Sequence, residues 1–329
     1  MINRPVVSVV MGVRNCESFV EAAVKSVLAQ TFTEFELIIV DDGSSDETAR
    51  VLASIRDPRM MYVVTGHRGS AAARNSGISV ATGAFLAFLD GDDMWDRTHL
   101  AEHVAALATN PDIVLTFSLS RIIDADGCRV PIPPRRVRGR FEFESLLRDN
   151  VIGNGSAVVA RRSALPEGGF NESLTSCVDY DLWLRFALVA RNGVLCVPTV
   201  LTSYRRREGQ VSGDWRLMQA GWEKMTRLIA LLAPSITKET MRSAESNWYR
   251  YLAFVAYERG EENEAFSLLS RSLRVHPVLA LSNSKTWLLG GAIFSSAVLP
   301  QVAHRFVEKS LNLLRSAVFE RESPAGGQQ

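Results

Sequence analysis

The sequence contains few of the residues that build metal clusters and cross-links: four cysteines and five histidines among 329 residues. The cysteines are scattered, and none has a partner at the short spacing of a zinc-ligand pair: Cys16, Cys128, Cys177 and Cys196. This pattern argues against a zinc site and against a disulfide framework. A reducing compartment fits it best, so we expect a cytoplasmic protein.

Charge of one sign and long apolar runs are also lacking. The net charge of +1 provides no general attraction to polyanions, so we expect no nucleic-acid partner. The longest uncharged stretch, residues 286–303, is short and polar for a bilayer span. The first residues, MINRPVVSVVMGV, have too little of a basic leader for a signal peptide, and we expect none.

The length and the pattern of apolar residues predict one large α/β domain, residues 1–212, and a smaller helical domain, residues 213–329. A capping-box pair, Ser18 and Glu21, predicts the start of the first helix. Strands that alternate with helices predict a largely parallel, doubly wound sheet with helices on both faces. The predicted strands are residues 6–13, 35–40, 60–64, 85–90, 113–118, 157–160, 194–197 and 201–204.

The C-terminal part contains one stretch, residues 248–277, that resembles a tetratricopeptide helix pair. Small residues and a terminal proline lie near the positions that such a repeat uses: Ala256, Gly260, Ala265 and Pro277. One copy is weak evidence, so a plain helical hairpin and a partner-binding repeat both stay open.

The most informative stretch is FLAFLDGDDMW, in which a buried strand ends in Asp90, Gly91, Asp92 and Asp93. Carboxylates crowded at a strand end repel one another, and a divalent cation with oxygen ligands offsets that cost most simply. In open parallel sheets, ligands bind beyond the carboxyl ends of the strands. The stretch therefore predicts a metal site that also holds an anionic ligand, with a solvated acidic turn as the plain alternative.

Two further pairs of acids are candidates for the same ligand site. Asp41 and Asp42 end the second strand at the same sheet edge, where they could bind a base or a ribose, or cap the following helix. Asp179 and Asp181 open a later helix, where acids are also favoured by the helix dipole. Spacing alone does not separate these alternatives.

Taken together, the chain resembles glycosyltransferase family 2, whose fold is the Rossmann-like GT-A fold. The stretches that carry the resemblance are VSVVMGVRN, SVLAQTFTEFELIIVDDGSSDET, GSAAARNSGISVATGAFLAFLDGDDMW and GGFNESLTSCVDYDLWLRF. The resemblance implies Asp179 as the catalytic base, Asp92 and Asp90 as ligands of Mn²⁺ or Mg²⁺, and Asp42 as the contact to the nucleotide base. The other residues that it implies for the nucleotide sugar are Gly12, Arg14, Asn15, Asp41, Arg74, Gly91 and Arg207.

Three positions depart from the family pattern. Val178 precedes Asp179 where a glutamate is common, so Asp181 is the remaining candidate for a supporting carboxylate. Arg14 precedes Asn15 where an aromatic residue is common. Arg207 lies near the place of a histidine that can reach the metal or the diphosphate, and an arginine can pair with phosphate but cannot bind a metal.

The resemblance implies an inverting transferase that moves a sugar, from a UDP-sugar by preference, to a hydroxyl of a saccharide or lipid-linked acceptor, as in bacterial surface polysaccharide synthesis. A decayed sugar-nucleotide-binding protein and a nucleotidyltransferase remain alternatives. A signalling receiver is excluded, because it needs a lysine on a later strand and the sequence has none between Lys25 and Lys224.

Contact with membrane at the inner face of the cytoplasmic membrane, and assembly as a homodimer, stay open. The sequence features that would suit a membrane or a phosphorylated lipid are an apolar stretch at residues 287–299 and the arginine loop Arg135, Arg136, Arg138 and Arg140. Core packing and a solvated loop are the plainer interpretations of the same residues.

Overall fold

A computed structural model describes residues 4–132 and 134–298. The described chain divides into two compact units, and the first consists of residues up to 143 together with 151–207. The second unit consists of residues 144–150 and the chain from residue 208 onward. The sequence pattern places a boundary near the same point, at residue 212, but gives no sign that residues 144–150 belong with the C-terminal part.

The first unit is built on one mixed sheet with the strand order β3-β2-β1-β4-β8-β6-β9-β5, and β7 pairs with β9. The strands of the described chain are β1 (Val7–Val13), β2 (Phe35–Asp41), β3 (Met60–Val64), β4 (Phe85–Asp90), β5 (Met94–Trp95), β6 (Leu115–Ile123), β7 (Gly139–Phe141), β8 (Val158–Arg161) and β9 (Val194–Arg205). The helices of this part are α1 (Val20–Leu28), α2 (Thr48–Ser54), α3 (Ser70–Val80), α4 (His99–Thr109), α5 (Phe143–Arg148), which crosses the boundary at residue 143, and α6 (Val178–Val189). The α/β prediction is confirmed.

Strands β3, β2, β1 and β4 form the parallel half of the sheet. The interiors of β1, β2 and β4 are largely apolar, as expected for strands covered on both faces, and Val9, Leu37 and Ala87 have no exposed surface, whereas the edge strand β3 is partly exposed. The register pairs Val13 with Asp41 and Gly12 with Asp90. The ends of β2 and β4 therefore flank the end of β1, which brings the first two acidic clusters to one edge.

Two local predictions are wrong. Helix α1 begins at Val20 with no side-chain cap: the Cys16 carbonyl accepts hydrogen bonds from the Phe19 and Val20 N–H groups, and Glu21 pairs with Lys25 instead of forming a capping box. The two strands predicted near residues 194–204 are one strand, β9. It stays paired with β6 through register shifts beside Ser118 and Leu119, and these irregularities absorb the break that the sequence suggests.

The second unit is helical over the described residues, with α7 (Trp215–Leu232), α8 (Lys238–Glu258), α9 (Glu262–Val275), α10 (Pro277–Ser282) and α11 (Ser284–Val298). Helices α8 and α9 form the expected hairpin, with Ala256 and Ala265 fully buried and a left-handed Gly260 between them. None of the helices in the described ranges has the length and apolar character needed to cross a bilayer. The apolar stretch singled out in the sequence coincides with α11 up to residue 298, and its last residue lies outside the described residues.

Candidate active site

The acids that end β2 are buried and hydrogen-bonded by neutral groups. Asp41 accepts hydrogen bonds from the Ser44 N–H (2.8 Å) and the Tyr62 hydroxyl (2.7 Å). Asp42 accepts hydrogen bonds from three groups of the loop that precedes α3, which are the Thr65 hydroxyl (3.0 Å), the Arg68 N–H (2.7 Å) and the Gly69 N–H (2.7 Å). Asp42 thus fixes the path of the chain from β3 into α3.

These bonds also set the charge state of Asp42. Burial alone would raise its pKa, but the backbone hydrogen bonds from Arg68 and Gly69 and the hydroxyl of Thr65 outweigh burial. The pKa of Asp42 therefore lies below its ordinary value, and the side chain is a carboxylate at neutral pH.

The end of β1 adds a loop that lies against α2 and the acidic turn. Asn15 has a left-handed backbone, and its side-chain oxygen accepts a hydrogen bond from the Ser45 N–H (2.9 Å), while Arg14 is exposed. Gly91 lies so close to this loop that a Cβ there would be 2.8 Å from the Val13 side chain. Glycine is required at Gly91 because the acidic turn packs directly on the end of β1.

The centre of the site is Arg74, a buried side chain of α3 that contacts acids from two different elements. Its Nη2 donates a short hydrogen bond to Asp90 Oδ1, and its Nη1 lies 3.3 Å from Asp179 Oδ1. The guanidinium also lies over the Phe170 ring, 5.3 Å from its centroid. Arg74 therefore joins the end of β4 to the start of α6, so Asp90 and Asp179 lie beside one guanidinium.

Asp179 is held less completely than the other acids. Its Oδ1 atom is buried and faces the Arg74 guanidinium, but it accepts no well-formed hydrogen bond from the residues that the structure describes. Burial raises the pKa of Asp179, the positive charge of Arg74 lowers it and the negative charge of Asp90 raises it again, which leaves the pKa above its ordinary value. A partly desolvated carboxylate with a raised pKa has the properties of a general base.

Asp181 does not support Asp179, although the sequence left that role open. It is fully buried and pairs with Arg185, one turn along α6, at 2.8 Å. Arg185 also donates to the Gly169 carbonyl, at 2.5 Å. Asp181 therefore anchors α6 to the loop that precedes it.

The second acid of the Asp-x-Asp pattern has its own arginine. Arg207 Nε donates to Asp92 Oδ2 at 2.8 Å, and its guanidinium lies over the Phe19 ring. The sequence places Arg207 near the family's histidine, and the structure brings it to the carboxylate that the resemblance implies as a metal ligand.

Sequence reasoning missed two residues that hold the acidic turn, Ser156 and Arg205. Asp93 is fully buried and accepts hydrogen bonds from the Ser156 hydroxyl (2.5 Å) and the Arg205 N–H (2.8 Å). Burial, with the charges of Asp92 and Asp90, raises the pKa of Asp93 well above its ordinary value. The available signal for Ser156 was a run of small residues, GNGSA, directly before β8.

The chemistry of the donors fits a divalent cation that is shared with a ligand. Mg²⁺ binds through one or two carboxylates and completes its shell with water and phosphate oxygens, and Mn²⁺ suits similar oxygen ligands. Asp90 and Asp92 offer two such carboxylates at one strand end. No group of three or more His, Cys, Asp and Glu residues in the described ranges could hold a metal ion by itself. A cation here would therefore depend on oxygen ligands from a diphosphate.

Comparison with known proteins assigns the family. A family model described as glycosyl transferase family 2 matches residues 8–169. The UDP-Glc:alpha-D-GlcNAc-diphosphoundecaprenol beta-1,3-glucosyltransferase WfaP of Escherichia coli is 35% identical over 216 residues, which cover 63% of this chain and 80% of that protein. The chain belongs to glycosyltransferase family 2. It is accordingly a glycosyltransferase, and its relatives include one named for colanic acid biosynthesis.

Solved structures support the GT-A fold of this glycosyltransferase. Staphylococcus aureus TarS 1-349 in complex with UDP-GlcNAc superposes with a TM-score of 0.61 at 16% identity, covering 97% of this chain and 93% of that one. The mannosyltransferase PcManGT from Pyrobaculum calidifontis, in complex with GDP-Man and Mn²⁺, gives 0.57 at 19% identity, covering 96% and 87%. At these identities the likeness extends to the fold alone. The family assignment removes the nucleotidyltransferase alternative.

Proposed function

We propose that this glycosyltransferase moves a hexose, with inversion at the anomeric carbon, from a UDP-sugar to a hydroxyl group of a lipid-linked saccharide. The preference for UDP and for a lipid-linked acceptor rests on WfaP, which is named for UDP-Glc and for a GlcNAc-diphosphoundecaprenol acceptor. Bacterial surface polysaccharide synthesis is the corresponding setting.

The observation that carries the proposal is the position of Arg74 between Asp90 and Asp179. An inverting transfer needs a leaving-group site on one side of the sugar and a base on the other, within one pocket. Because Asp90 and Asp179 both pair with the Arg74 guanidinium, they lie close to each other. This supports a donor site at Asp90 and a base at Asp179.

On the donor side, we assign the nucleotide to the edge formed by the ends of β1, β2 and β4. Asp42 shapes the loop at the base end, and Asp90 and Asp92 lie at the diphosphate end with Arg207 beside them. Asp90 and Asp92 would hold a Mg²⁺ or Mn²⁺ ion, which supplies positive charge for the leaving diphosphate when it is bound. Arg207 can turn from Asp92 to a phosphate oxygen, because a guanidinium binds both groups in the same way.

On the acceptor side, Asp179 takes the proton of the attacking hydroxyl. The acceptor oxygen forms a bond to the anomeric carbon as the bond to the diphosphate oxygen breaks on the opposite face. The proton passes to a carboxylate oxygen of Asp179, so no covalent enzyme intermediate is needed. The raised pKa of Asp179 suits this step, since a base works best when its pKa is closer to the working pH.

The test is the Asp179→Asn variant with UDP-glucose as donor and a synthetic GlcNAc-diphosphate lipid as acceptor. We expect transfer to fall by roughly a hundredfold or more, because general-base catalysis contributes about that factor. Affinity for UDP in the presence of Mg²⁺, measured by calorimetry, should stay within about threefold, since the amide fills the same volume. Asp126→Asn, a change of an exposed loop acid, is the matched control.

The same experiment separates the alternatives. Retention of transfer by Asp179→Asn contradicts the base assignment. UDP binding without transfer in the wild-type protein, across a panel of UDP-hexoses and acceptors, favours the decayed binding protein that Val178 and Arg207 leave open. UDP affinity that is unchanged by EDTA contradicts the assignment of a cation to Asp90 and Asp92.

A further inference from the structure

A short buried segment lies between the acidic turn and Asp179. Residues Gly155–Ala157 form one turn of 3-10 helix directly before β8, and all three are buried. None of the three is among the acids and arginines to which the proposed function gives a role. Their contacts nevertheless reach both halves of the proposed reaction.

Ser156 ties this segment to the acidic turn at three points. Its hydroxyl donates to Asp93 Oδ2 (2.5 Å) and accepts from the Asp90 N–H (3.0 Å). Its carbonyl accepts from Trp95 Nε1 at 2.6 Å. Because the serine is fully buried, these bonds are shielded from water, and they fix the segment relative to the turn that carries Asp90 and Asp92.

Gly155 faces the other side. A Cβ added at this glycine would lie 2.7 Å from Asp179 Oδ2, 3.0 Å from Cγ and 3.3 Å from Oδ1. All three of these neighbours belong to the Asp179 carboxyl group. The absence of a side chain at position 155 therefore provides the space that the carboxylate occupies.

The need for glycine here is one of space and not of backbone conformation. Gly155 is not among the residues of positive φ, so alanine can adopt its backbone angles. The situation differs at Gly83, where an added Cβ would lie 2.6 Å from the backbone nitrogen of Ser8. A methyl group at Gly83 meets backbone of a central strand, whereas the three atoms nearest to a methyl group at Gly155 all belong to the end of one side chain.

We propose that Gly155 is a positioning residue for Asp179, and that Ser156 fixes Gly155 to the acidic turn so that the base and the donor-binding acids keep a set separation. The proposal rests on the proposed function of Asp179 as the base. It makes a specific claim about the added methyl group: it should displace the carboxylate and leave the fold and the donor site in place.

The test is Gly155→Ala, compared with Asp179→Asn and with Gly213→Ala, whose added Cβ meets nothing within 4 Å. With the UDP-glucose and lipid acceptor pair used above, we expect kcat to fall by about tenfold or more, since small misplacements of a catalytic group cost factors of this size. The KM for UDP-glucose and the affinity for UDP should stay within about threefold. The thermal midpoint should stay within about 2 °C of wild type, since the closest contacts of the added methyl group are with a side-chain end and not with backbone.

Every other result contradicts either the positioning role of Gly155 or the proposed function of Asp179. A Gly155→Ala protein with wild-type kcat, while Asp179→Asn is inactive, overturns the positioning role and leaves the proposed function intact. Loss of UDP affinity equal to the loss of kcat, a large fall in thermal midpoint or failure to fold overturns it as well, because each would show a general structural role. Retention of transfer by Asp179→Asn overturns the proposed function itself.

Discussion

The ends of β2 and β4 both present adjacent acids at one sheet edge, but they hold them in different ways. Asp41 and Asp42 receive hydrogen bonds from neutral backbone and hydroxyl groups of the protein. Asp90 and Asp92 instead face the guanidinium groups of Arg74 and Arg207. The two clusters looked alike in the sequence, and only their partners separate them.

This difference in partners determines which acids can exchange them when a ligand binds. A backbone N–H that loses its acceptor inside the protein has no substitute, so the acids of β2 are committed to the loop that they hold. An arginine that loses a carboxylate can take a phosphate oxygen instead, so the acids of β4 can release their partners when a diphosphate and a cation arrive. We therefore expect substitutions at β2 to reduce stability and substitutions at β4 to reduce binding and turnover.

The largest effect should come from Asp92→Ala. We expect a hundredfold or greater loss of transfer and a comparable loss of UDP affinity in Mg²⁺, because charge neutralisation of a leaving group contributes several kcal/mol. The free energy of unfolding should change by less than about 1 kcal/mol, because the lost ion pair with Arg207 is offset by relief of the repulsion between Asp92 and the buried Asp93. Calorimetry with UDP and urea denaturation measure the two quantities. A stability loss with intact UDP binding would reverse the roles given to the two clusters.

Asp42→Asn should show the opposite pattern. The amide nitrogen would face the N–H of either Arg68 or Gly69, and one buried donor would lose its acceptor. We expect the free energy of unfolding to fall by about 2 kcal/mol, as for other hydrogen bonds to charged groups. Urea denaturation beside Asp126→Asn as the control checks this value. A change below about 0.5 kcal/mol would mean that Asp42 is not committed to the loop and is available for the nucleotide base.

The position of these acids can be predicted from the sequence, but their partners cannot. The parallel core and the convergence of acids at one edge follow from apolar runs that end in Asp41 and Asp90, because strand ends of a parallel sheet share an edge. The partners do not follow, because Arg74, Arg207 and Ser156 reach these acids across distances of 16 to 115 residues. Local spacing carries no information on such contacts.

The pH dependence of stability should sharpen the comparison further. The pKa of Asp42 is lowered in the folded state from an ordinary value of 3.8. The contribution of this carboxylate to the free energy of unfolding is therefore complete above pH 3.8 and is lost as the pH falls through the pKa of the folded state. The stability difference between wild type and Asp42→Asn should therefore be constant from pH 7 to about pH 5 and shrink below pH 4, by at most about 1.4 kcal/mol per pH unit. Urea denaturation at each pH measures it. A difference that stays constant down to pH 3 would contradict the lowered pKa.

The smallest effect on stability is expected for Tyr62→Phe, which removes a single hydrogen bond to the acids at the end of β2. The Tyr62 hydroxyl donates to Asp41 Oδ2 at 2.7 Å, and that carboxylate keeps the Ser44 N–H when the hydroxyl is removed. Tyr62 is 39% exposed, so without its hydroxyl group water can approach Asp41 Oδ2 from this side and replace part of the lost hydrogen bond. Tyr62→Phe should therefore lower the free energy of unfolding by about 0.5 to 1 kcal/mol, less than Asp42→Asn, with transfer unchanged. A loss of transfer in Tyr62→Phe at preserved stability would instead mean that Asp41 exchanges partners as the acids of β4 do, and the distinction between the two strand ends would fail.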